Sequence, residues 1–321
     1  MTTLAPPREA RADWRVWNLD ASLVVTDAER LEEASQIAEV VLDQVDLACS
    51  RFRPDSEVRR IAEAHRDGDE VSPLLATLVR AALDAAEWTS GDVDPTLGGA
   101  IAALGYDRDL REVRRQAGPD GVRISQTVLP GRVAAWRSIR LDGRRLTVPP
   151  GLALDLGATA KAVAADLVAG RVADELGVGV LVALGGDIAT AGERGAPWQV
   201  RVQDRTGEPA EQVSLEPGSA IATSSTLHRR WLADGRWMHH ILDPRSGLPA
   251  AETWRTATVA APTCLEANAL STAAIVRGRA AGTLLTSAGV AARLVDSSGR
   301  IHRFGGWPDQ ESIREGAVDV R

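Results

Sequence analysis

The sequence predicts an α+β fold of the mixed α/β kind, and two observations carry that expectation. Segments with apolar residues at helical spacing alternate along the chain with short, strand-like apolar runs. One run, residues 178–184, is apolar throughout, as a strand buried on both faces would be. No repeat, low-complexity tract or long linker interrupts the 321 residues. One large domain over residues 13–310 is therefore the economical division, between a flexible arm at 1–12 and a polar tail at 311–321.

Taken in order, residues 16–25 read as a strand. Asp27 is placed to cap a helix that carries Leu31, Ala34, Ile37, Val41 and Val45 on one face and ends near Cys49. The Pro54-Asp55-Ser56 turn follows, with Asp55 or Ser56 available to cap the next helix. Residues 73–88 form another amphipathic helix, closed by Ser90-Gly91. The stretch DVDPTLGG at 92–99 packs two acids, a proline, a hydroxyl and paired glycines into a loop. It reads equally as a shaped loop at a site or as a plain turn before a helix, with Asp94 as its cap. Two edge strands are expected at 134–141 and 145–148.

Residues 152–192 hold the most informative unit. Asp155 and Gly157 break an apolar run ahead of a helix with Ala160, Val163, Leu167 and Val172 at helical spacing. Asp155 is placed to cap that helix, and Lys161 puts a cation near its positive end. The strand 178–184 stops at Gly185-Gly186-Asp187, where the chain must turn tightly. Such a unit suits the diphosphate of a nucleotide or dinucleotide, and it is also a common scaffold.

Further on, 198–203 alternates as a strand, and 208–215 reads as polar and exposed. The hydroxyls of Thr223, Ser224, Ser225 and Thr226 could meet a phosphate or make a capping turn. In HHILDPRSG, two of the five histidines lie against a turn, and a histidine there is either an acid/base group or structural. After a strand at 254–260, Pro262 and Thr263 open a helix with Asn268 and Thr272 on one face. A last strand is expected at 290–295.

Composition narrows the function. A net charge of −7 and the absence of a basic stripe argue against nucleic acid. No run is long and apolar enough to span a membrane. Two cysteines without a pattern, and no leader-like amino end, make the cytoplasm the expected location. The nine Trp, against one Tyr and two Phe, are plates for ring stacking or core filling.

Several islands together resemble the ApbE family of flavin transferases (FAD:protein FMN transferases). They are SRFRPDSEV, GDVDPTLGG followed by LGY, LDLGATAKA, LVALGGDIATAG, SAIATSS, HHILDPRSGLP and APTCLEANALSTAAIV. They keep the family's order from about residue 15 to 295. The resemblance implies an ApbE-like fold with mixed sheets flanked by helices, FAD as substrate, and Mg²⁺ at the FAD diphosphate. A Ser or Thr hydroxyl of an FMN-carrier protein takes up FMN, and AMP leaves. By the same resemblance, Phe52, Val93, Asp94, Pro95, Asp155, Lys161 and Ile241 contact the flavin nucleotide. The Ala158 carbonyl, Asn268 and Thr272 surround the metal. His240 helps deprotonate the acceptor, and Lys161 steadies charge growing on AMP.

Two positions depart from the family pattern. Asn268 stands where the family usually has Asp, so a full negative charge is missing beside the metal. A unit charge pair 4 Å apart is worth about 4 kcal/mol at an effective dielectric of 20, less after desolvation. Weaker metal binding is the expectation. Near the amino end, Trp17-Asn18-Leu19 replaces a Met-Gly-Thr segment, and Trp17 either stacks on a ring of the nucleotide or fills its pocket. The function read from the sequence is transfer of FMN. The alternatives are an FAD diphosphatase giving FMN and AMP, or a catalytically impaired flavin-binding relative.

Overall fold

The computed structural model describes residues 9–64, 68–124, 135–308 and 318–320. The chain runs β1 (Ala10–Val16), β2 (Leu19–Val25), α1 (Leu31–Cys49), α2 (Glu57–Ala64), β3 (Asp69–Glu70), α3 (Pro73–Trp88), α4 (Gly98–Ala103) and α5 (Leu110–Gln116). Next come β4 (Arg140–Asp142), β5 (Arg145–Thr147), α6 (Ala160–Leu176), β6 (Val180–Leu184), β7 (Asp187–Ala191), β8 (Trp198–Gln203) and β9 (Ala210–Leu215). They are followed by β10 (Ala220–Ser225), β11 (Arg230–Ala233), β12 (Arg236–His239), β13 (Leu242–Asp243), β14 (Leu248–Pro249) and β15 (Trp254–Ala261). The last are α7 (Cys264–Arg277), α8 (Ala281–Ala288), β16 (Ala291–Asp296), β17 (Ile301–Phe304) and β18 (Val318–Val320).

Eight strands make the main sheet, in the order β1-β2-β6-β7-β10-β15-β16-β17. Its middle is covered on both faces, as the unbroken apolar run of β6 requires. Val180, Val182 and Leu184 join the core shared with α1 and α6. Leu181 and Ala183 point the other way, into a second core with Trp198, Val200 and Val213 of β8 and β9. The small sheet β18-β8-β9 thus forms a third layer. β6 nevertheless runs antiparallel to both neighbours, so two-sided burial here comes from layering and not from parallel crossovers.

Several expected boundaries move. Residues 16–25 are not one strand: Trp17 and Asn18 form a two-residue turn between β1 and β2, both at positive φ (49° and 61°), the backbone that matches strand twist in tight hairpins. β1 begins at Ala10, so it takes in the end of the expected arm, and residues 1–8 lie outside those described. Of the strand expected at 134–141, residue 134 lies outside the described residues, Ala135–Ser138 is a 3-10 turn and only Arg140–Asp142 is extended. Asp27 caps the 3-10 turn Ala28–Arg30 that leads into α1. Neither candidate caps α2, because Asp55 pairs with Arg53 and the Ser56 hydroxyl is buried with no hydrogen-bond partner among the described residues.

The segment 208–215 is not an exposed loop. β9 buries Glu211, whose carboxylate meets Arg293 at 3.0 Å, Arg303, and the Trp307 indole N–H at 2.8 Å. A charged residue is tolerated inside when its oxygens are matched this way. Nor is 290–295 the last strand, since β17 follows it, and β18 pairs in parallel with β8 from within the expected polar tail.

Two helices set the geometry that matters most. α6 stops at Gly177, whose φ of 66° suits a glycine. On α6, Asp166 accepts the backbone N–H groups of Cys264 (2.9 Å) and Leu265 (3.1 Å), while Thr263 accepts that of Glu266 (3.2 Å). The first turn of α7 is therefore fastened to the side of α6. Asp166→Ala leaves two donors unpaired and is expected to lower unfolding free energy by about 1–3 kcal/mol. Urea denaturation checks this, and an unchanged midpoint would mean that the fastening contributes nothing.

Candidate active site

The hairpin between β6 and β7 delivers the central carboxylate. Gly185 turns at φ 63°, and a Cβ on Gly186 would stand 2.7 Å from the Thr223 carbonyl oxygen of β10. Only a glycine lets the turn close so tightly. The next residue, Asp187, lands between the first turn of α6 and the second turn of α7, 3% exposed. Its Oδ2 accepts from Lys161 Nζ at 2.9 Å, and its Oδ1 accepts from Asn268 Nδ2 at 2.8 Å. The reverse amide orientation would set oxygen against oxygen, so the carboxylate fixes which way Asn268 points. Asn268 Oδ1 is buried and has no hydrogen-bond partner among the described residues.

One turn further along α7, the Thr272 hydroxyl lies 2.8 Å from the Ser224 hydroxyl, which also lies 2.8 Å from that of Ser271. Of the hydroxyl cluster, Ser224 ties strand β10 to α7, Ser225 at the end of β10 makes the turn by accepting the Leu227 N–H at 3.1 Å, and Thr226 lies just past the strand. Thr223 belongs to the same strand and meets Thr258 across the sheet at 2.9 Å.

Lys161, Asp187, Thr223, Ser224, Asn268 and Thr272 border a cavity of about 260 Å³, which adjoins a broader cleft of about 1230 Å³. Lys161, Arg51, Phe52, Tyr106, Asp155 and Arg229 border both. Of the residues singled out from the sequence, Phe52, Val93, Asp94, Asp155, Ala158, Lys161, His240, Ile241, Asn268 and Thr272 line the cavity. Pro95 is not among the lining residues. Its carbonyl instead accepts the N–H of Asp155 at 2.8 Å, holding one site loop against another. Asp155 does not cap α6. Its carboxylate accepts the N–H of Gly157 (2.8 Å) and pairs with Arg51 at 3.3 Å. Asp94 faces the cavity and closes a turn on Thr96, but it does not cap the helix that follows, since α4 begins after Leu97 with no side-chain cap. Trp17 borders the broad cleft.

Sequence reading missed Asp187, Arg51, Tyr106 and His228 as lining residues. Arg51 spreads its guanidinium 4.2 Å from the Phe52 ring centroid and 4.4 Å from that of Tyr106, a stacked wall beside the cleft. A signal for Asp187 was present in the glycine pair before it. Glu266, two positions before Asn268 on α7, does not line the cavity.

Electrostatics separate the titrating groups. Burial pushes the His240 imidazole well below its usual value of 6.5, and the positive charges of Arg229 and Lys161 push the same way. His240 is therefore neutral at pH 7, and its Nδ1 is buried without a hydrogen-bond partner among the described residues. Its neighbour His239 is structural, with Nε2 3.0 Å from the Ala250 carbonyl. Burial raises Asp94, against hydrogen bonds from Thr96.

Comparison with known proteins now adds to this geometry. Residues 16–294 match the profile of the ApbE family. The chain belongs to the ApbE family. It is 30% identical over 295 residues to a Treponema pallidum protein named FAD:protein FMN transferase, covering 85% of this chain and 80% of that one. A Salmonella typhimurium protein of the same name is 28% identical over 289 residues, covering 86% and 81%. Among solved structures, the ApbE protein of Thermotoga maritima superposes with a TM-score of 0.79 at 24% identity, covering 92% of this chain and 97% of that one. The apo flavinyl transferase ApbE of Pseudomonas stutzeri gives 0.77 at 25%, covering 94% and 96%. The ApbE fold, with mixed sheets flanked by helices, is borne out.

A pH test follows from His240. Its pKa is lower folded than unfolded, so the unfolded chain binds more protons as pH falls past 6.5 and folding stability drops there. Wild type is expected to lose more stability than His240→Gln between pH 7.5 and 5. Parallel urea midpoints for the two across that range would show that His240 is not desolvated.

Proposed function

We propose that the protein is an FAD:protein FMN transferase, moving FMN from FAD to a Ser or Thr hydroxyl of a carrier protein and releasing AMP. The observation that carries this reading is the convergence of Lys161, Asn268, Thr272 and His240, from separate parts of the chain, on one cavity. The curated relatives that share the family bear this activity in their name.

Phosphoryl transfer asks for alignment and charge neutralisation more than for covalent help. Lys161, pinned by Asp187, offers a fixed cation to the diphosphate. Arg51 and Phe52 offer planar surfaces to a ring of the nucleotide. His240, neutral and with Nδ1 free, takes the proton from the acceptor hydroxyl as that oxygen bonds to the phosphorus on the riboflavin side. The bond from that phosphorus to the bridging oxygen breaks, and AMP leaves with the electron pair. Asn268 Oδ1, the Thr272 hydroxyl and the Ala158 carbonyl are hard oxygen donors. The buried, unpartnered Asn268 Oδ1 fits such a role. Mg²⁺ bound there supplies neutralisation of the diphosphate charge.

The carrier protein is the implied partner, and the broad cleft gives its acceptor loop a route to the cavity. No helix among the described residues is long and apolar enough to cross a membrane. Both cysteines are unpaired, which fits a cytoplasmic enzyme.

The test is to incubate the protein with FAD, Mg²⁺ and an FMN-carrier domain. A mass gain of one FMN on the carrier is expected. Free FMN with an unmodified carrier would mean hydrolysis, and FAD binding without either product would mean an impaired relative. His240→Ala is expected to slow transfer by about 10²–10⁴-fold with FAD affinity retained. Equal losses in both would make His240 structural. The acid limb of kcat/KM in the wild type is expected below pH 6.5, because the base is held neutral there. A limb above that value would assign the proton to another group.

A further inference from the structure

We propose that Asp187 is a positioning residue for the metal-binding oxygen, and that positions 187 and 268 form one carboxylate–carboxamide pair whose members can exchange places. This rests on the functional reading above. It recasts Asn268 as a working ligand and not as a lesion.

The geometry is specific. Asp187 uses both oxygens, one on Lys161 Nζ (2.9 Å) and one on Asn268 Nδ2 (2.8 Å). The second contact is buried and takes one of the amide's two N–H donors, so the carboxamide presents its oxygen away from Asp187. That oxygen is the atom left without a partner, on a residue that lines the cavity with Thr272 and Ala158. An amide without this restraint can present either end, and the N–H end repels a cation. Groups that orient a metal ligand from behind are worth roughly 10–100-fold in metal affinity.

The same contacts explain why aspartate at position 268 is not simply better. With Asp187 in place, Asn268→Asp puts two carboxylate oxygens at a 2.8 Å contact that is now N–H to O. The paired exchange removes that conflict. In the double variant Asp187→Asn, Asn268→Asp, the new amide donates from the position of Oδ1 to the new carboxylate on α7 and accepts from Lys161 at the position of Oδ2. The charge of the Lys–Asp–Asn cluster is unchanged, and every donor still faces an acceptor.

The test has two readouts on the full chain. Thermal unfolding without ligand is compared for wild type, both single variants and the double variant. Each single variant is expected to unfold at least about 2–4 °C lower, with the double variant returning to the wild-type midpoint. Mg²⁺ titration calorimetry on FAD-saturated protein is expected to show about tenfold weaker binding or worse for Asp187→Asn. The double variant should recover at least the wild-type affinity, because an oriented oxygen returns at position 268 and now carries the charge. A double variant no better than the worse single one would overturn the pairing. So would Asn268→Asp unfolding at the wild-type temperature. Unchanged Mg²⁺ affinity in Asp187→Asn would overturn the orienting role. Should wild type fail to bind FAD, the functional reading falls, while the midpoints still decide whether the two positions are coupled.

Discussion

A single buried carboxylate holds the active-site region together. Asp187 sits on a strand that starts immediately after a glycine turn, and it bonds one residue of α6 and one of α7. Asp166 fastens the same two helices from the α6 side, through the first N–H groups of α7. The cation and the oxygen donors are thereby fixed relative to each other before any ligand arrives. Taking Lys161 and Asp187 out of water, with side chains only 16% and 4% exposed, costs much of what their attraction returns. The pair is better understood as setting geometry than as adding stability.

Preorganisation of this kind is what the chemistry needs. Diphosphate cleavage gains most from charges already aligned on the atoms where charge develops. Lys161 cannot wander, because its partner is anchored in the main sheet. His240, the base of the proposed reaction, adds a desolvated neutral imidazole next to cationic side chains that keep a proton off it. An arriving dianionic diphosphate would offset those cations and make the imidazole a stronger base. In the proposed reaction the proton acceptor would thus strengthen when substrate is present.

Much of this was written in local sequence. Helices 31–49 and 73–88 declare themselves by apolar period, and Thr263 marks the start of α7 as a cap should. Asn268 and Thr272 share a face by spacing alone. What stayed hidden depends on contacts between distant residues. Asp187 reaches Lys161 across 26 positions and Asn268 across 81, and nothing in its neighbours names those partners. Burial of β9 hinges on Glu211 finding Arg293 and Trp307, far along the chain. The β1–β2 hairpin escaped because Trp-Asn is not a usual pair for a turn with two positive φ angles. The motif puts Pro95 on the nucleotide, whereas in the fold its carbonyl braces Asp155, which lines the cavity.

The most direct measurement is a crystal structure of the protein grown with FAD and Mg²⁺. The diphosphate is expected in the small cavity, with Lys161 Nζ on one side and an ion held by Asn268 Oδ1 and the Thr272 hydroxyl on the other. A diphosphate lodged in the broad cleft, with Asn268 Oδ1 still unpartnered, would contradict it.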